Sequence, residues 1–99
     1  MGVQPNQCEQ CVSQFLIAIR NLPSTNRLAA ALEAYNELLR CVFGTTQGPF
    51  FPQNACQQCV ADFAAVVEGS AGQGPIQRIQ TILDAVEVLR QCVFGTPPV

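Results

Sequence analysis

The sequence predicts an all-α protein: a duplicated helical hairpin whose two pseudo-equivalent halves pack as a disulfide-stapled four-helix bundle. Two repeated stretches and six cysteines predict it. Cys8-Glu9-Gln10-Cys11-Val12-Ser13-Gln14-Phe15 recurs as Cys56-Gln57-Gln58-Cys59-Val60-Ala61-Asp62-Phe63. Leu39-Arg40-Cys41-Val42-Phe43-Gly44-Thr45 recurs as Leu89-Arg90-Gln91-Cys92-Val93-Phe94-Gly95-Thr96. Between these stretches apolar residues recur at helical spacing. The 99 residues read as a single domain, 1–99, with internal repeats 6–45 and 54–96 joined by a linker, 46–53.

The elements follow in order. Met1 to Pro5 is expected to fray. Asn6 is the expected N-cap of the first helix, with Glu9 as its capping-box partner; Asn54 and Gln57 repeat the device. The first helix should run from about Gln7 to Asn21, burying Cys8, Cys11, Val12, Phe15, Ile19 and Leu22, and stop before Pro23. Ser24 or Thr25 can cap the second, expected from about Asn26 to Val42. Its stripe is Leu28, Ala31, Leu32, Tyr35, Leu38, Leu39 and Val42. Glu37 and Arg40 are spaced to pair on its surface, and Gly44 is the expected left-handed stop. Gly48-Pro49-Phe50-Phe51-Pro52 breaks any helix in the linker. The third helix should span about Ala55 to Glu68, burying Cys59, Val60, Phe63, Ala64 and Val67. Gly69 to Gly74 reads as a flexible loop, and Pro75 suits the first position of the fourth helix. That helix carries Ile76, Ile79, Ile82, Leu83, Val86 and Leu89, ends before Gly95 and leaves an irregular tail, Thr96 to Val99. Glu87 and Arg90 repeat the earlier charge pair.

The repeats are offset by 48 residues at the CxxC motifs, 50 at Leu39/Leu89 and 51 at Cys41/Cys92. Gln91 therefore reads as an added residue, which would turn Cys92 by about 100° relative to Cys41.

Each half holds three cysteines, so complete pairing within one chain needs a bridge between halves. An antiparallel hairpin places the start of its first helix beside the end of its second. This favours Cys11–Cys41, Cys59–Cys92 and Cys8–Cys56. The crossed set, Cys11–Cys92 with Cys41–Cys59, is the best alternative, and six cysteines allow about fifteen connectivities. Two other readings of the CxxC pairs are thioredoxin-type redox chemistry, without the βαβ surroundings it uses, and a four-cysteine zinc site, without the Gly-bearing knuckles. The disulfide framework is preferred, with no metal and no cofactor, and it implies an oxidising, extracellular compartment.

Composition excludes several functions. Charged residues are 12% of the chain, about half of the roughly 25% that is usual. Glutamine, with 12 residues, fills much of the gap. The net charge is −2, and all five cations are Arg, without a basic run. Nucleic-acid binding needs such a run to neutralise phosphates, so no nucleic-acid partner is expected. No apolar run approaches the length of a membrane span. Neither a signal peptide nor a myristoylation site is visible, since Asn6 stands where Ser or Thr is wanted. The chain is expected to be a mature secreted form carrying a start Met. Without His or Lys the usual bases and amine nucleophiles are missing, so no catalytic residue is assigned and a non-enzyme is expected.

Candidate ligand or partner contacts are Phe50 and Phe51, held between prolines in the linker, and Phe15 and Phe63 on the repeated helices. Phe50 and Phe51 can instead fold back over the bundle end. Ile17, Val66 and Val88 fall at the margins of their stripes; if exposed, they point to self-association or lipid. The second half replaces Leu16, Ile17 and Ile19 with Ala64, Ala65 and Val67, so tight closure over the alanines decides whether a cavity exists between the hairpins.

Cys8-x-x-Cys11, followed by an amphipathic helix, resembles the start of a saposin-like domain. That family is helical, has six cysteines and interacts with lipid. The likeness reaches at most through Cys41, because Cys56 and Cys59 then form a second CxxC in place of the family's later spacing, and no functional residue carries over. In composition alone, rich in Ala, Gln and Val without Lys, His or Trp, the chain is similar to helical cysteine-bearing proteins of arachnid silk glands. The expected role is a secreted structural or interaction protein of an extracellular material, a silk or gland secretion, whose partners are other proteins of that material or further copies. The alternative is a carrier of a lipid or small apolar ligand between the hairpins, lined by Phe15, Phe63, Ile19 and Val67 and gated by Phe50 and Phe51.

Overall fold

The computed structural model describes residues 5–95. They form four α-helices: α1 (Pro5–Arg20), α2 (Arg27–Phe43), α3 (Ala55–Gly69) and α4 (Pro75–Phe94). Every helix packs against the other three, and one core draws on all of them. Val12, Leu38, Leu39, Val60, Val67, Ile82 and Leu89 are among its fully enclosed side chains, and Phe15 and Phe63 are buried beside them. The hairpins α1/α2 and α3/α4 are antiparallel, because a disulfide joins the beginning of the first helix to the end of the second in each. The expectations for residues 1–4 and for Thr96 to Val99 lie outside the described residues.

Local chemistry sets the helix ends. Asn54 caps α3 in extended backbone, its side chain accepting from the Gln57 amide at 2.8 Å. The Gln57 side chain reaches back to accept from the Gln53 amide at 2.8 Å, and its Nε2 donates to the Val42 carbonyl at 3.4 Å. Gln57 is thus a buried polar residue that ties the start of α3 to the end of α2. Gly44 and Gly95 stop α2 and α4 in left-handed backbone, at φ 78° and 59°.

Several expectations are corrected. α1 begins at Pro5, so Asn6 is already helical and does not cap it; proline suits a first helical position because its missing N–H would be unsatisfied there anyway. Neither Ser24 nor Thr25 caps α2. Asn26 does so in left-handed backbone (φ 55°), without a side-chain hydrogen bond. Among the described residues Glu37 and Arg40 form no ion pair, whereas Arg90 does pair with Glu87. The segment after α3 is a hydrogen-bonded turn. Ser70 is buried, donates to the Val67 carbonyl at 2.6 Å and accepts from Arg78 Nε at 3.0 Å, while Thr81 donates to Gln73 at 2.8 Å. Arg78 thereby pins the first turns of α4 onto the end of α3.

Gln91 is not an added residue. Cys41 and Cys92 make bridges of the same shape, with Cα atoms 5.8 Å apart in both. The buried residues of α2 and α4 correspond at an offset of 51: Ala31 with Ile82, Tyr35 with Val86, Leu38 with Leu89. The capping bonds keep the same offset, Gly44 to the Arg40 carbonyl and Gly95 to the Gln91 carbonyl. α4 has 20 residues against 17 in α2, and the excess is an extra first turn, Pro75 to Gln77. Ile76, expected in the core, sits on that turn at the rim of a shallow depression beside Arg27, Leu28 and Ala29 of α2 and is 86% exposed.

Candidate functional site

The six cysteines form three disulfides: Cys8–Cys56 between the hairpins, Cys11–Cys41 within the first and Cys59–Cys92 within the second. No cysteine is free, and each CxxC is divided between two bridges. A CxxC disulfide, a four-cysteine zinc site and the crossed pairing are all excluded by this connectivity. Among the described residues no group of His, Cys, Asp and Glu is placed to hold a metal ion. Cys8 and Cys56 are both buried, whereas Cys41 and Cys92 lie on the exposed side of their bridges.

The aromatic candidates separate. Phe15 and Phe63 are each 3% exposed and meet edge to face, with centroids 5.4 Å apart. Tyr35 packs edge-on against Phe63 at 5.8 Å. These three rings fill the centre where the hairpins meet, and Ala64 and Val67 are closed over as well. Neither Phe15 nor Phe63 is therefore an open contact for a ligand between the hairpins; each is core and forms the floor of an outer groove. Phe50 folds back and stacks on Phe43 at 4.8 Å. Phe51 faces outward and is 75% exposed. The adjacent prolines treat the two rings alike in sequence, so only packing separates them.

The Tyr35 hydroxyl is the polar tip of the ring cluster. It donates to Glu68 Oε2 at 3.1 Å. Burial, followed by the charge and hydrogen bond of Glu68, pushes the phenol above the usual tyrosine range, and Arg78 opposes part of that shift.

Two grooves lie on the outer faces of the hairpins, and sequence reasoning did not find them. One, of about 370 Å³, runs between α1 and α2 over Cys11–Cys41, with Gln14, Ala18, Glu33, Glu37 and Leu38 along it. The other, of about 360 Å³, runs between α3 and α4 over Cys59–Cys92, with Asp62, Val66, Asp84, Val88 and Leu89 along it. They are equivalent position by position: Gln14 matches Asp62, Ala18 matches Val66, Glu33 matches Asp84, and Glu37 matches Val88. The available signal was the apolar residues at the stripe margins. Val66 is 45% and Val88 66% exposed in the second groove, whereas Ile17, also exposed, lines neither.

No helix among the described residues is long and apolar enough to cross a membrane. No family model matches the chain, and no match is found among the curated proteins or the solved structures.

Proposed function

We propose that the chain is a secreted, non-enzymatic interaction module of an extracellular material, a silk or gland secretion, which it joins through its surface while its disulfides keep the fold intact. One observation carries this reading: all six cysteines are spent on bridges, two within hairpins and one between them, while large apolar side chains remain on the outside. Disulfides persist in oxidising compartments, and this degree of stapling suits a small domain stored outside the cell. The low charge suits packing at high concentration, where repulsion between copies would oppose a dense state. The lack of His and Lys removes the commonest bases, which supports a role without catalysis. The carrier alternative gains no support, because rings occupy the space between the hairpins.

Chemical cross-linking of the native secretion, followed by mass spectrometry, tests this role. Cross-links from this chain to other proteins of the material, together with an unreduced mass matching three bridges and no adduct, are expected. A chain that carries a bound lipid and cross-links to nothing would overturn the reading.

A further inference from the structure

The two outer grooves form an internal comparison. They share a disulfide, a phenylalanine floor and a leucine, and nearly the same volume. The first hairpin folds with Ala18 and Glu37 at positions where the second places Val66 and Val88. Folding of such a hairpin therefore does not require the two valines, and both stand substantially in solvent. Exposed apolar side chains that the fold does not need mark a binding surface.

The groove also has a charge pattern. Because Cys59 lies opposite Cys92 in antiparallel helices, Asp62 faces the Val88 turn and Asp84 faces the Val66 turn. A carboxylate and a valine thus oppose each other at both ends of the groove. Asp62 accepts from Gln58 Nε2 at 2.9 Å and Asp84 from Gln80 Nε2 at 3.2 Å, each one turn earlier on its own helix. Among the described residues no ion pair engages either carboxylate. A second copy docked face to face on this groove would bring four uncompensated carboxylates together, which disfavours self-pairing here.

From this complementarity we infer that the α3/α4 groove binds an amphipathic helical segment of another protein, one that presents apolar side chains to Val66 and Val88 and Lys or Arg to Asp62 and Asp84. The floor from Thr81 to Cys92 is roughly 16 Å long at the helical rise, enough for about three turns of a docked helix. This site deepens the interaction-module reading and rests on it.

The test uses the full oxidised chain with labelled valine methyls. The probe is a peptide about three turns long with Leu on one face and Lys flanking it, compared with its Leu/Glu counterpart. The Leu/Lys peptide is expected to bind and to shift the methyls of Val66 and Val88. Val66→Ala with Val88→Gln, which reproduces the small and polar pattern of the first hairpin without adding charge, should weaken binding by about tenfold while leaving the circular dichroism unchanged. Asp62→Asn with Asp84→Asn should weaken it and flatten its salt dependence. Equal binding of both peptides, or shifts confined to other surfaces, would overturn the inference. So would dimerisation of the free chain through this groove. If phosphatidylcholine vesicles move these methyls and the Leu/Lys peptide does not, the groove is a lipid seat and the peptide assignment fails. Such failures leave cross-linking to the extracellular material untouched, so the site and the role are refuted separately.

Discussion

The Tyr35 hydroxyl donates to the Glu68 carboxylate at 3.1 Å, joining α2 of the first hairpin to α3 of the second at the edge of the ring cluster. Burial and the neighbouring carboxylate both disfavour tyrosinate, so the folded pKa lies above the unfolded one. A raised pKa adds stability that is fully present below the unfolded value. That stability should be lost as pH rises from about 10 towards the folded pKa. Because Tyr35 is the only tyrosine and there is no tryptophan, its ultraviolet titration is read without interference. The native chain should resist ionisation at pH values where the guanidinium-unfolded chain ionises. Tyr35→Phe keeps the ring contacts and should cost about 1 kcal/mol at neutral pH while removing this alkaline sensitivity. Identical native and unfolded titrations would show that the hydroxyl is open to water.

The bridge between Cys8 and Cys56 differs from the other two in burial and span. It closes 48 residues, which corresponds to about 4 kcal/mol in the chain-entropy account. Both its cysteines are enclosed, whereas Cys41 and Cys92 are open to a reductant. Graded reduction followed by alkylation should label Cys11, Cys41, Cys59 and Cys92 before Cys8 and Cys56. Replacing both Cys8 and Cys56 by alanine should lower the unfolding free energy by about 3 kcal/mol, read from guanidinium midpoints with the other bridges intact, because Cys11–Cys41 already shortens the loop. A loss below about 1 kcal/mol would assign cohesion of the hairpins to the shared core alone.

What the sequence disclosed, and what it withheld, follows from the range of each interaction. The helices were legible because apolar spacing, Pro75, Gly44 and Gly95 act locally. The Asn54 cap was visible for the same reason, but Asn6 was misread because Pro5 already opens α1. The fate of Ile76 depended on how the first turn of α4 meets the start of α2, which no local pattern encodes. Phe50 and Phe51 could not be told apart, since only tertiary packing turns one onto Phe43 and the other outward. The outer grooves escaped because each needs two helices in known register. Matching Leu39 to Leu89 by letter identity gave the wrong register, when Leu38 is the residue equivalent in space.

That register leads to a prediction in which greater sequence likeness should reduce structural likeness. Deleting Gln91 would make the second half read Leu-Arg-Cys-Val-Phe-Gly, identical to residues 39–44 of the first. On the helix, however, the deletion moves the cysteine into the place of Gln91, about 100° around the axis from where Cys59 waits. A disulfide with Cα atoms 5.8 Å apart tolerates no such rotation without backbone movement. After oxidative refolding, the deletion variant should retain two reactive thiols or a scrambled bridge, counted by alkylation and mass spectrometry. Gln91→Ala is the control: Gln91 is exposed, so the substitution should leave three native bridges and shift stability by no more than about 0.5 kcal/mol. Formation of Cys59–Cys92 in the deletion variant would show that Gln91 is a spare residue after all, and that α4 can slide against α3 to restore the bridge.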